Sequence, residues 1–217
     1  MGARVLVVRH GDTALNDKGY HDSHKIRGWK NIPLDDDGRE QAVKLGKALE
    51  HFPIAAVYCS DLDRALDTGD AIAARHAVRP EETKSLRPWH LGDLQGEPVK
   101  KAIPLIVKFT ENEDEVVPGG ESFRTYRLRF LGELVRLCDK ARKHKVTICI
   151  VTHSRGMQAT RAWIAAGCPN DLTISTEHMN SYEDELPTAS AIELTPDGAC
   201  WKAAVVAKEG ERTGPTS

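Results

Sequence analysis

The sequence has no run of apolar residues long enough to cross a membrane, although 40% of its residues are hydrophobic. It also has no excess of charge of either sign, because 30 Lys and Arg stand against 32 Asp and Glu, a formal net charge of −2. A strongly basic, nucleic-acid-binding surface is therefore not indicated. We expect no membrane and no nucleic acid as partner, so any anion must bind to a local cluster of cations.

Motifs typical of bound metals are missing, since neither H-x-x-x-H nor C-x-x-C occurs, and we expect no metal and no cofactor. The five cysteines are an odd number, and Cys59, Cys138 and Cys149 lie within apolar runs. This pattern favours reduced thiols over a disulfide framework. The first strand begins by Arg4 and leaves no room for a signal peptide, so we expect a soluble cytoplasmic protein.

What the sequence does contain is an alternation of apolar, strand-like runs and amphipathic helical patterns. It predicts an α/β fold with three layers: a doubly wound, mostly parallel sheet with an antiparallel edge hairpin and a small helical insert. We expect one domain over residues 1–207 and a flexible tail over 208–217.

Three local predictions refine this outline. Ser60 is expected to be the N-cap of a helix, and residues 83–86 to form a short strand. A helix over residues 97–109 is expected to break at Pro104. The insert that carries this helix is a candidate for a mobile lid, and a solvated connecting loop is the alternative.

Arginine and histidine side chains follow three of the predicted strands. The first strand ends in Arg9 and His10, the helix after the second carries Arg64 in its first turn, and a later strand ends in His153. Because the carboxyl ends of parallel strands meet at one edge of a sheet, we expect these groups around one crevice. Guanidinium groups suit a phosphate, and a neutral imidazole can attack phosphorus.

With these residues in place, the sequence resembles the histidine phosphatase superfamily, which includes cofactor-dependent phosphoglycerate mutases and broad-specificity phosphatases. The matching segments, in chain order, are Arg9-His10-Gly11 with Thr13 and Asn16, residues 28–34, residues 60–65 with Thr68, residues 118–122 and residues 151–153. The resemblance implies that His10 becomes a phosphohistidine that water hydrolyses, while Arg9, Arg64 and His153 hold the phosphoryl oxygens. It also implies a small phosphorylated substrate, contacts from Thr13 and Asn16, and cations in place of a metal.

The sequence departs from the family where the general acid is expected. The family usually has a Glu there, and this chain has Pro88, which cannot transfer a proton. Of the nearby titratable residues, His90 is preferred over Asp93, because an imidazole can act as acid and as base near neutral pH. The alternative is a His90 that only packs under Trp89. A phosphoramidate or acyl phosphate substrate would need little protonation.

Two further departures concern the pocket. The family commonly has Gly directly after its second histidine, which is His153 here. This chain has Ser154 and then Arg155 instead, and they are expected to narrow the site or add charge to it. Lys25 stands roughly where an Arg is common, and Arg27 is expected to contact the remote end of the substrate. His21 and His24 in the same loop are equally compatible with a solvated basic loop.

Three other interpretations compete with a phosphatase. Cys149 and Arg155 match the C-x5-R spacing of cysteine phosphatases, but a thiolate inside an apolar strand would be desolvated. Residues 94–96, in the turn-rich segment after Pro88, resemble the sequence that phosphoglycerate mutases have at this position, which favours a phosphoglycerate mutase-type phosphotransferase. A phosphate-binding pseudoenzyme is the third, because the acid is missing. The sequence is compatible with a homodimer and leaves the oligomeric state open.

Overall fold

The computed structural model describes residues 2–15, 25–180 and 186–207, and its centre is a six-stranded sheet. The strands are β1 (Arg4–Arg9), β2 (Ile54–Cys59), β3 (Pro80–Glu82), β4 (Thr147–Thr152), β5 (Ala191–Asp197) and β6 (Cys200–Ala207). Their order across the sheet is β3-β2-β4-β1-β5-β6. The first four strands in this order pair in parallel, whereas β5 pairs antiparallel with both β1 and β6. The predicted mostly parallel sheet with an antiparallel edge hairpin is confirmed.

Helices cover both faces of the sheet. They are α1 (Asp36–Ala48), α2 (Asp63–Ala73), α3 (Val99–Glu111), α4 (Phe123–His144), α5 (Ser154–Ala165) and α6 (Thr176–Asn180). Side chains alternate along β1, so Val5 and Val7 pack in one core with α4 and α5, while Leu6 and Val8 pack in another with α1 and α2. A strand that is buried on both faces is apolar throughout, which explains the sequence of β1. The predicted three layers are confirmed.

Two local predictions about the connection after α2 were wrong. The short strand is β3, and it precedes residues 83–86, because the Thr83 hydroxyl accepts a hydrogen bond from the Ser85 amide and starts a 3-10 turn over Lys84–Leu86. Helix α3 also runs through Pro104 without a break. Pro104 has no N–H to donate to the carbonyl four residues earlier in the helix. Because Pro104 lies on the exposed side of α3, water can bond that carbonyl instead.

The prediction of reduced thiols was wrong for one pair of cysteines. Cys168, just after α5, and Cys200, at the start of β6, form a disulfide with a Cα–Cα distance of 5.3 Å. The two residues are 32 positions apart, and only the packing of the edge hairpin beside α5 brings them together. Cys59, Cys138 and Cys149 are buried and free.

Some predictions fall on residues that the structure does not describe. These are the substrate contact at Asn16, the alternatives for His21 and His24, and the tail over 208–217. In the described ranges, no helix has both the length and the apolar character needed to span a membrane.

Candidate active site

The parallel strands bring the predicted residues to one edge of the sheet. Arg9 at the end of β1 lies in register with Thr152 at the end of β4, and the His10 amide donates to the Thr152 carbonyl at 3.1 Å. His153 follows directly, so the two imidazoles lie side by side, with ring centroids 5.1 Å apart in an edge-on arrangement. The expected meeting of strand ends therefore occurs.

Local contacts determine the tautomer of His10. Its Nδ1 lies 2.6 Å from the Gly11 carbonyl oxygen. Because a carbonyl can only accept, Nδ1 carries the proton and Nε2 is left with a lone pair. Gly11 is required here, since a Cβ at this position would lie 2.5 Å from the Gly38 carbonyl oxygen. The geometry gives His10 the form of a nitrogen nucleophile.

His153 has a different hydrogen-bond partner, and it corrects the prediction for Ser60. Helix α2 has Leu62 at its N-cap, and no side chain caps it. The Ser60 hydroxyl instead lies 2.9 Å from Nε2 of His153. If the hydroxyl donates, His153 carries its proton on Nδ1, which is buried and has no hydrogen-bond partner among the described residues. The Ser60 hydroxyl thus contacts the second imidazole of the site and does not cap a helix.

Three arginines surround the imidazoles. Arg9 donates to the Leu186 carbonyl, and the fully buried Arg64 donates to the carbonyls of Lys30 and Gly28 at 2.9 Å each. Arg27 donates to the Thr13 hydroxyl at 3.0 Å. These contacts hold the guanidinium groups in position before any anion arrives, which is the condition for effective electrostatic stabilisation.

Arg27 lines the same cavity as His10, and its charge is among the causes that lower the pKa of His10. Its contact with the remote end of a substrate stays a prediction. Thr13 is buried, and its hydroxyl accepts the hydrogen bond from Arg27, so its contact with a substrate stays a prediction. Lys25, which was expected to retain the phosphate contact, is exposed at the rim of the cavity.

Burial and the crowding of cations determine the protonation of the site. Burial lowers the pKa of His10 well below its ordinary value, and the charges of Arg64, Arg27 and Arg9 lower it further. The pKa of His153 falls for the same reasons. Burial, followed by the charge of Arg27, lowers the pKa of Arg64 to about 9. Both imidazoles are therefore neutral at physiological pH in a strongly positive environment.

These groups open into one cavity of about 480 Å³. All its titratable lining residues in the described part of the chain are basic in type: the cations Arg9, Lys25, Arg27, Arg64 and Arg155, and the neutral imidazoles of His10 and His153. Ser154 also lines it, as predicted, at the first turn of α5. The amino end of this helix carries partial positive charge and adds to the preference for an anion.

The segment after residue 185 was not predicted as part of the site, yet it closes one side of it. The Ala189 amide donates to the His10 carbonyl at 3.1 Å, and the Thr188 hydroxyl donates to the Asp12 carboxylate at 2.7 Å. Gln41 donates to the other carboxylate oxygen at 2.8 Å. Asp12 thus ties the loop after His10 to two distant segments. Its position next to the Arg-His-Gly triplet was the available signal for this role.

Residues 5–203 match the family described as Histidine phosphatase superfamily (branch 1). The chain belongs to this superfamily. It is 36% identical over 159 residues to Phosphoglycerate mutase-like protein 4 of Arabidopsis thaliana, a match covering 70% of this chain and 66% of that protein. It is 35% identical over 166 residues to the Metal-independent phosphoserine phosphatase of the same plant, covering 71% and 66%. The chain thus matches about two thirds of the length of these relatives.

The fold of this histidine phosphatase superfamily member also matches solved structures. Bacillus stearothermophilus YhfR superimposes with a TM-score of 0.76 at 24% sequence identity, over 96% of this chain and 97% of that chain. At this level of identity the match concerns the fold alone.

The histidine phosphatase resemblance places a general acid at the position of Pro88, and Pro88 does line the cavity. Its carbonyl accepts hydrogen bonds from the Trp29 indole at 2.8 Å and from Arg129 at 3.2 Å. Arg129 also bonds the carbonyls of Lys84, Ser85 and Arg87, so the loop that presents Pro88 is held firmly.

His90 is not brought to the cavity. Its ring stacks on Trp29 with centroids 4.3 Å apart, and it is absent from the described lining of the cavity. Its amide donates to the Glu121 carboxylate at 3.0 Å. The position of His90 therefore fits the alternative in which it only packs against a tryptophan better than it fits the acid role. The tryptophan is Trp29, whereas Trp89 was expected.

Proposed function

We propose that the chain is a phosphomonoester hydrolase that works through a phosphohistidine on His10. The observation that carries this proposal is the hydrogen bond from Nδ1 to the Gly11 carbonyl, which leaves the Nε2 lone pair of His10 free in a cavity that Arg9, Arg27 and Arg64 also line. A binding site for phosphate has no need of a bare nucleophile. The phosphoserine phosphatase among the relatives supports hydrolysis of a small phosphorylated substrate.

The proposed reaction has two steps. The Nε2 lone pair of His10 attacks phosphorus, an N–P bond forms, and the ester P–O bond breaks with its electron pair leaving on the alcohol oxygen. Water then attacks phosphorus, the N–P bond breaks, and Nε2 regains its lone pair as inorganic phosphate and a proton are released. Arg9, Arg64 and His153 hold the equatorial oxygens during both transfers.

Rapid-quench labelling tests the proposal. Enzyme mixed with ³²P-labelled phenyl phosphate and quenched in base, which preserves phosphohistidine, should carry label on His10 within one turnover. His10→Ala should carry none, and His51→Ala, a replacement at an exposed histidine, should label like the wild type. Hydrolysis without label on His10 would reject the mechanism. If neither label nor hydrolysis is observed, the alternative of a phosphate-binding protein without this activity is favoured.

A mutase is the second candidate, because one relative is a phosphoglycerate mutase-like protein. Incubation with 3-phosphoglycerate and 2,3-bisphosphoglycerate separates the two reactions. A mutase transfers the phosphoryl group between carbons without releasing inorganic phosphate. A phosphatase releases inorganic phosphate from these esters if it accepts them and otherwise leaves them unchanged.

A further inference from the structure

The lining of the cavity beside His10 has two kinds of residue. The cations and imidazoles form its polar part. Its apolar part comes from several segments and includes Ile26, Trp89, Leu91, Val99, Ile103 and Ile106. A ligand that fills the cavity therefore combines a phosphate with an apolar group.

One face of helix α3 forms much of the apolar part. Val99, Ile103 and Ile106 follow one another at spacings of four and three residues, which places them on the same face of the helix. Ile106 is buried, whereas Leu105 is 42% exposed to solvent on another face. The helical insert thus provides a wall of the pocket, where the sequence left a lid or a linking loop as alternatives.

The described lining of the cavity contains no carboxyl group that could donate a proton to a leaving group. No Asp or Glu occurs in its described lining, and Pro88 stands where the resemblance places the acid. An alkoxide is a strong base and needs a proton as it leaves, whereas a phenolate is a weak base and does not. An apolar surrounding makes an unprotonated alkoxide still less stable.

We propose that the substrates are aryl phosphates, in which an apolar aromatic group leaves as a weakly basic phenolate. This inference depends on the proposed function of His10. A cavity of roughly 150 Å³ is enough for a benzene ring, so the 480 Å³ here accommodates an aromatic group together with the phosphate. The N–P bond forms as the aryl P–O bond breaks, and the phenolate takes its proton from water after it leaves.

Four substrates test the leaving-group part of the proposal: 1-naphthyl phosphate, phenyl phosphate, 2-phenylethyl phosphate and glycerol 1-phosphate. We expect kcat/KM to be highest for the two aryl esters and at least about 100-fold lower for 2-phenylethyl phosphate, which is apolar but leaves as an alkoxide. A value for 2-phenylethyl phosphate within threefold of that for phenyl phosphate would overturn the inference. So would equal use of glycerol 1-phosphate.

Two variants of α3 test the apolar wall. Ile103→Ser should raise KM for 1-naphthyl phosphate by about tenfold or more and change KM for the small acetyl phosphate little. The matched control Leu105→Ser, on the exposed side of the same helix, should leave both unchanged. Equal effects of Ile103→Ser on both substrates would overturn the inference. Label on His10 with the opposite substrate preference rejects only this inference, whereas absence of label from every substrate rejects the proposed function.

Discussion

Replacing Arg64 with Met should abolish most catalysis with little change in stability. Arg64 is fully buried and donates two hydrogen bonds of 2.9 Å to the carbonyls of Gly28 and Lys30. Losing these charge-assisted bonds costs about 1.5–3 kcal/mol each. Against this, burial and Arg27 lower its pKa to about 9, so the guanidinium, which is charged at pH 7 in both states, destabilises the folded state by roughly 5 kcal/mol. The two contributions nearly cancel.

The catalytic contribution does not cancel. Loss of one preorganised donor to the transferring phosphoryl group costs about 2–4 kcal/mol of transition-state stabilisation, which lowers kcat/KM for phenyl phosphate by about 30-fold to 1,000-fold. Thermal unfolding and steady-state kinetics of Arg64→Met measure both quantities. Arg75→Met, at an exposed arginine just beyond α2, is the control. A kcat/KM within threefold of the wild type would refute the reasoning, and so would a folded state too unstable to assay.

Three further predictions follow from the structure. Burial keeps His10 and His153 neutral in the folded state, whereas both are protonated in the unfolded chain below about pH 6.5. The free energy of unfolding in urea should therefore fall by about 1.4 kcal/mol per pH unit for each histidine as the pH drops below that value. Replacing both with Gln should flatten this pH dependence. Pro88→Glu should add an acid to the cavity and raise kcat/KM for 2-phenylethyl phosphate more than for phenyl phosphate; an equal change for both substrates would contradict this. Cys200→Ser should lower the free energy of unfolding by about 3–4 kcal/mol through loss of the disulfide to Cys168, and an unchanged urea midpoint would show that the bond does not contribute.

The order of strands and helices and the edge hairpin were predictable because apolar periodicity is local. The alternation of Val5, Leu6, Val7 and Val8 onto two faces of β1 requires a strand buried on both sides. The convergence of Arg9, His10 and His153 was also predictable, since parallel strands place their carboxyl ends together. The local errors, at Ser60, Pro104 and residues 83–86, occurred where a side-chain hydrogen bond or solvent exposure outweighs propensity.

By itself the sequence determined the family, the layers of the fold and the Arg and His residues that meet at one cavity, because these follow from motifs and periodicities along the chain. Only the tertiary structure decided the tautomer of His10, the stacking of His90 on Trp29 and the pairing of Cys168 with Cys200. It also decided that α3 lines the cavity with apolar side chains. Each of these features depends on contacts between atoms of different segments or on the orientation of a ring. The spacing of residues along the chain encodes neither the contacts nor the orientation.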